Sequence, residues 1–514
     1  MALSHRSGSQ TWTRAERIAA LLVLVAALAS LSVTVLPTYN AERDGSIYIG
    51  VARSLLAGDG CSYLGQPFTL RPSGFAVLIA PVLAVFGTDY QVLNLYVSLF
   101  GILALALLFL YQRERLGGGL ALLCCVALWL NPGYQRLCNI ALSDVPGLAL
   151  LMLCLLIERR ATARFSWRAE IALGICIGLS AYVRSILILL VPAIVVARVF
   201  SHVMSSPRRA GWKLLVARQL LVFSIAAVAV QVPGSIRNRV SAPDPPADQF
   251  SLHSYSAAMW HTDASDPRSP RQSTARILER APIRLRQTAE VLGSRMTSRV
   301  QGTKAPTHGL DPVHAGVSLS LFLCLVLLLV RYRSAVEVFT CASVGVITLY
   351  FGFGGRLLLP VFALLLCGAV EMLRDLFGGL VGPRRGQILV GALVLTLISL
   401  DFDPHAGWEE IEASHAKLAQ VAEDLSPVLT DDSVLATLRG HDYMVELDRP
   451  VVSLRFVLDR PTDISPIERI IDKYGVNTVF LVGAQATGAV GSYLDDLYGP
   501  GNVAGSVTVW RVRD

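Results

Sequence analysis

Two carboxylates and four arginines stand where long apolar runs begin or end: Asp44, Asp144, Arg71, Arg184, Arg237 and Arg356. A carboxylate in such a place can accept a proton from a reacting group or cap a helix. A guanidinium can hold an anion through paired, charge-assisted bonds, or simply reach the headgroup layer. Asp44 opens a short pattern in which Ile47, Val51, Leu55 and Leu56 recur at helical spacing. The pattern is too short to cross a bilayer and suits its surface, so Asp44 would face the headgroup layer, where a lipid-linked molecule presents its polar end. Asp144, in Ser143-Asp144-Val145-Pro146, opens an apolar run; Ser143 and Asp144 also make a good helix start, with Pro146 tolerated in the first turn.

The elements that must position these residues are set by a membrane. Of 514 residues, 53% are hydrophobic and only 16% charged, and the mean hydropathy is +0.53. That combination excludes an ordinary soluble protein and indicates a mainly α, polytopic membrane chain. Apolar runs predict about eleven transmembrane helices, near 17–37, 89–111, 118–135, 141–157, 169–183, 185–200, 214–233, 315–331, 335–352, 357–373 and 387–401. The first reads as a retained anchor, since no small-residue cleavage site follows it. The 169–200 run is long for one helix and short for two, with Arg184 interrupting it; the 75–87 run suits a partial insertion.

With the N-terminus cytoplasmic, every short inside loop is basic: Arg113 and Arg115; Arg159, Arg160, Arg164 and Arg168; Arg208, Arg209 and Lys213; Arg331 and Arg333; Arg374, Arg384 and Arg385. The same threading collects Asp44, Asp144, Arg184, Arg237 and Arg356 on the external side, more ionisable groups than anchoring needs. The external loops are 38–88 and 234–314. The second carries a Pro-rich stretch, Trp260-His261 and a basic helical portion from Thr274 to Arg299; Trp260 could stack on a sugar or rest on the bilayer.

From residue 402 the chain holds 18 acidic and 9 basic residues, a net −9 against an overall +7. Strands are predicted at Ser433–Thr437, Pro450–Leu454, Asn477–Val482 and Ser506–Val512, with helices over Glu409–Asp424, Ser465–Tyr474 and Thr487–Tyr498. The expected division is therefore a transmembrane catalytic domain, 1–401, and a small extracytoplasmic α/β domain, 402–514, without a phosphate fingerprint or nucleophile elbow. The basic excess before residue 402 sits in membrane-flanking loops and calls for no nucleic acid. Eight of nine cysteines lie in or beside apolar runs, Cys61 excepted, and His253 and His261 lack a third ligand, so neither a disulfide framework nor a metal site is read.

Asn40 to Gly74 resembles the first external loop of the polyprenyl-phosphate-dependent GT-C membrane glycosyltransferases, the class of protein O-mannosyltransferases and lipid A aminoarabinose transferase. The features that carry the resemblance are Asp44, Tyr48, the helix Ala52 to Leu56, Gly58-Asp59 and Arg71-Pro72-Ser73-Gly74. Arg356, in Gly354-Gly355-Arg356-Leu357-Leu358-Leu359-Pro360, resembles the family's Arg-Tyr-x-x-Pro, with Leu357 where Tyr is usual. Arg184 ends a helix similar to a recurrent one, Arg237-Asn238 after Pro233 resembles Pro-x-x-x-Arg-Asn, and Asp144 with Pro146 matches a common acidic position. Many relatives carry Asp-Glu where this chain has Asp44-Gly45, which removes one carboxylate from any divalent cation; such a cation stays open as a cofactor, and no other is expected.

The resemblance implies an enzyme that moves a sugar from a polyprenyl-phosphate-linked donor to a lipid, glycan or protein acceptor, with inversion, on the external face of a bacterial plasma membrane. Asp44 would be the general base and Asp144 a second active-site carboxylate. Arg71, Arg184, Arg237 and Arg356 would hold the donor phosphate, and Tyr48 and Trp260 would line the substrate loop. Two other readings remain: a transporter or flippase for a lipid-linked saccharide, for which repeated halves or broken helices would be expected, and an inactive scaffold, which Gly45 and Leu357 keep open.

Overall fold

The structure, a computed structural model, describes residues 13–39, 43–163, 166–205, 212–241, 259–262, 269–296, 312–350, 355–401, 408–454 and 466–512. Each of the eleven apolar runs falls mainly on helix. The first ten helices are α1 Arg14–Thr34, α2 Arg43–Ala57, α3 Gly74–Phe86, α4 Tyr90–Leu116, α5 Gly118–Trp129, α6 Pro132–Cys138, α7 Asp144–Ala163, α8 Trp167–Val183, α9 Leu190–Ser205 and α10 Trp212–Val240. There follow α11 Thr274–Leu278, α12 Arg280–Met296, α13 Pro312–Tyr332, α14 Ala335–Leu349, α15 Leu359–Val381 and α16 Pro383–Asp401. Among the described residues five helical stretches are long and apolar enough to cross a membrane: Arg14–Thr34, Tyr90–Leu116, Gln219–Val240, Pro312–Tyr332 and Gly355–Val381.

Local chemistry explains where the runs break. The 118–135 run ends early because Asn131 caps a new helix, accepting from the Tyr134 amide at 3.1 Å, with Pro132 in its first turn. The 169–200 run is two helices joined at Arg184, whose extended backbone leads into a 3₁₀ turn, Ser185–Leu189. At the other end of the helices, Arg115 of α4 pairs with Glu337 of α14 and Glu371 of α15, each at 2.9 Å, and all three are largely buried. These ions bind three helices at one level of the bundle.

Past α17 Trp408–Leu425 the chain forms a five-stranded sheet in the order β4-β3-β5-β7-β6. The strands are β3 Leu435–Thr437, β4 Val451–Ser453, β5 Thr478–Val482, β6 Asn502–Ala504 and β7 Val507–Arg511; β1 Ser62–Tyr63 and β2 Gln66–Pro67 form a separate hairpin after α2. β3 runs parallel to β4 and β5, with Leu435 opposite Val451 and Thr478; β7 runs antiparallel to β5 and β6. Alternation divides the side chains. Ala436, Val452, Val479, Leu481 and Trp510 pack with Ile467, Ile470 and Ile471 of α19 Pro466–Tyr474 and with Leu494 of α20 Ala489–Tyr498. Leu435, Val451, Phe480, Val507 and Val509 join the continuous core that runs through the helices. The strand β6 has no counterpart among the expected four: it is a three-residue edge strand with Val503 exposed, so it carries no apolar signal.

Candidate active site

Buried asparagines fix the chain as it enters the site. Asn139 donates to the Thr34 carbonyl at 2.8 Å and accepts from the Leu36 amide at 2.7 Å; Asn94 donates to the Leu36 carbonyl at 2.9 Å. These bonds satisfy the open end of α1, which no longer has water to do so. Helix α2 then begins at Arg43 with Asp44 in its first turn. Its apolar stripe is covered by protein at Ile47 and Val51. Ile47, Tyr48, Ile49, Val51 and Ala52 are all buried, so α2 is covered on more than its apolar stripe.

Asp44 stands between two guanidiniums. Arg71 reaches one carboxylate oxygen at 2.6 Å, and Arg356, from a short 3₁₀ turn ahead of α15, reaches the other. A second pair lies alongside: Asp144, the first residue of α7, is ion-paired with Arg184 at 2.8 Å, and both are nearly inaccessible. Gly147, one turn along α7, leaves the space that Arg184 occupies; a Cβ there would lie 2.7 Å from the Arg184 Cδ. The Tyr48 and Ser143 hydroxyls approach to 3.4 Å, and Tyr48 meets Phe75 edge-on at 5.0 Å, linking the second turn of α2 to the residue before α7.

These side chains share one cavity of about 510 Å³. Asp44, Tyr48, Arg71, Ser143, Asp144, Arg184 and Arg356 make its charged part, while Ile186, Ile188, Leu189, Val346, Ile347 and Leu357 make an apolar part. The arrangement can hold a molecule with an anionic group at one place and a hydrocarbon portion beside it. It also offers a carboxylate next to that anion.

Two expected residues stand elsewhere. Arg237 faces the backbone: it donates to the Phe68 carbonyl at 2.8 Å and to the Cys61 carbonyl, while Asn238 donates to the Thr69 carbonyl at 3.3 Å. It props the loop that presents Arg71. Trp260 is 41% exposed and does not line the cavity, although its neighbour Met259 does. His261 turns its Nδ1 to the Ser269 carbonyl at 2.9 Å, and His253 lies outside the described residues. Among the described residues no group of three or more His, Cys, Asp or Glu side chains is placed to hold a metal ion.

Arg295, near the end of α12, was not singled out from the sequence. Burial pushes its guanidinium down to about 10 and the nearby Asp144 opposes that shift, so a further cation stands behind the Asp144–Arg184 pair. Its carbonyl accepts from Asn131 at 2.9 Å, which ties α12 to the start of α6. One arginine among many in a basic stretch gives no sequence signal for burial.

Comparison with known proteins bears on the fold and on one stretch of the sequence. Residues 71–229 match the family described as dolichyl-phosphate-mannose-protein mannosyltransferase. No curated protein matches by sequence. By fold the chain is similar to ArnT from Cupriavidus metallidurans bound to undecaprenyl phosphate, with a TM-score of 0.63 and 14% identity over 96% of this chain and 98% of that one. The same protein in its apo state gives a TM-score of 0.61 at 16% identity, over 97% and 98%. The oligosaccharyltransferase of Archaeoglobus fulgidus, tethered to an acceptor peptide, gives 0.50 at 12% identity, over 90% of this chain and 69% of that one. The resemblance to the GT-C membrane glycosyltransferases drawn from Asn40 to Gly74 and its companion motifs is thus borne out: the chain has their fold over nearly its whole length and carries a mannosyltransferase-family match through residues 71–229.

Proposed function

We propose that this protein is an integral membrane glycosyltransferase that takes a sugar from a polyprenyl-phosphate-linked donor and passes it to an acceptor, inverting the anomeric carbon. The observation that carries the reading is the Asp44 carboxylate held by Arg71 and Arg356 in a cavity that apolar side chains also line. A donor phosphate entering there competes with Asp44 for the two guanidiniums. As they turn to the phosphate they stabilise the leaving group, whose charge grows as the glycosidic bond breaks. The same movement frees lone pairs on Asp44 to take the proton of the attacking acceptor hydroxyl. Asp144 with Arg184 forms the rigid second wall, and Tyr48 joins the two. The apolar wall formed by Ile186, Ile188, Leu189, Val346 and Ile347 suits the first isoprene units of the donor.

The proposal extends to placement. In this reading about eleven helices cross a bacterial plasma membrane, and the alternation of basic loops supports an N-terminus inside, the Asp44 site outside, and residues 402–514 as an extracytoplasmic unit beside the 1–401 portion. The acceptor is a lipid, a glycan or a protein.

Binding tests the donor class directly. Purified protein in nanodiscs should bind a polyprenyl phosphate and discriminate strongly against the free polyprenol. Arg71→Met and Arg356→Met should each weaken phosphate binding by about tenfold or more, the scale of one lost charge-assisted contact. Equal affinity for phosphate and alcohol would contradict a phosphate site at Asp44.

A further inference from the structure

Helix α2 carries Asp44 at one end; α3 and the β1 hairpin cover part of it, and the segment between β3 and β4 covers another part. That segment contains the short helix α18, Gly440–Met444. The His441 Nδ1 and the Tyr63 hydroxyl are hydrogen-bonded at 2.6 Å, and the two residues are 3% and 4% exposed. Met444 seats against Gly50 at mid-helix: a Cβ on Gly50 would lie 2.7 Å from the Met444 Cε and 2.9 Å from a Tyr63 ring carbon. Behind α18, a Cβ on Gly440 would lie 2.5 Å from the Val452 carbonyl, so the short helix is pressed onto β4.

Two further tethers come from the same segment. Asp448 pairs with Arg53, in the last part of α2, at 2.7 Å. Glu446 accepts from the Tyr90 hydroxyl at 3.0 Å; Tyr90 stacks on Tyr39 at 5.0 Å, and the Tyr39 hydroxyl bonds that of Ser46, two residues from Asp44. Thus both ends of α2 are referred to one loop of the C-terminal sheet. A helix transmits such a constraint as a rigid rod, and catalysis by a positioned base loses roughly 100-fold for a displacement of about 1 Å.

We propose that His441 and Tyr63, with Met444 on Gly50, are positioning residues that hold α2 in the register placing Asp44 between Arg71 and Arg356. The C-terminal sheet is then part of the catalytic apparatus through its grip on that helix, an inference that rests on Asp44 being the base. Hydrogen exchange on the full-length protein in nanodiscs reads the lock without reference to activity. His441→Ala and Tyr63→Phe should speed exchange of the 44–57 amides and leave those of α4 as in wild type. His441→Asn, whose side-chain oxygen can accept the Tyr63 hydroxyl, should restore slow exchange.

The kinetic readout is transfer from a polyprenyl-phosphate sugar. His441→Ala should lower kcat by roughly tenfold with donor KM within about twofold, and His441→Asn should recover most of it. Unchanged exchange in α2, or faster exchange throughout the molecule with kcat and KM altered together, would overturn the lock. Absence of transfer by wild type would overturn the glycosyltransferase reading instead, and the exchange pattern would still decide whether α2 is held by His441.

Discussion

Asp44 and Asp144 are both first-turn helix residues, and their surroundings separate them. Asp44 is met by guanidiniums from two distant segments, whereas Asp144 is the less exposed of the two, beside Arg184 and near the half-buried Arg295. Removing Arg184 leaves a nearly inaccessible carboxylate without its paired guanidinium. Arg184→Met should therefore cost stability, about 3–5 kcal/mol as for other broken buried pairs, measured as a loss of thermal midpoint in detergent. Little or no change would mean that Asp144 is solvated in the membrane-bound protein. The sequence named Asp44, Asp144, Arg71, Arg184 and Arg356 because each sits in a short motif, yet their pairing across as many as 312 residues was not written in any one of them. Arg237 was named on the same ground and faces backbone carbonyls instead, since a motif records a residue type and not the direction of its guanidinium.

At the scale of elements, apolar runs located the helices and local capping decided their breaks. Asn131-Pro132 and the extended Arg184 are visible in the sequence only as residues that permit a break. Burial of α2 was only partly legible, because α3, close in sequence, supplies some of its cover and residues 440–448, far along the chain, supply the rest. The Arg115–Glu337–Glu371 cluster shows the opposite case. Arg115 reads as an ordinary loop-flanking charge, and folding brings it together with Glu337 and Glu371 between helices. Arg115→Met leaves two buried carboxylates and should destabilise by about 3–5 kcal/mol. Glu114→Gln, at a pair where the glutamate is 58% exposed, should change stability by less than about 1 kcal/mol. Comparable losses in thermal unfolding for the two variants would contradict the burial assigned to the cluster.

The whole molecule is less divisible than its composition suggests. The switch from an apolar, basic chain to an acidic one near residue 402 invites a cut there, and the strand alternation after it was readable. One face of the resulting sheet, however, continues the core of the helices through Leu435, Val451, Phe480, Val507 and Val509. A chain ending at residue 401 would expose the face of α2 around Gly50 and Arg53, along with Tyr63. It should be recovered as aggregated or polydisperse material on size exclusion, whereas a monodisperse, thermally stable 1–401 fragment would show two separable domains.

Sugar transfer from a polyprenyl-phosphate donor, with Asp44 taking the acceptor's proton, is decided by one experiment. Radiolabelled donors of several sugars are presented to the reconstituted protein, wild type beside Asp44→Asn, with acceptor lipids, glycans and peptides supplied in turn. The amide keeps the shape of the carboxylate and loses its basicity. Wild type should transfer from at least one donor, and the variant should fall by about 100-fold or more while retaining polyprenyl-phosphate binding. Equal transfer by both proteins would contradict Asp44 as the base, and no transfer by wild type from any donor would contradict the reaction itself.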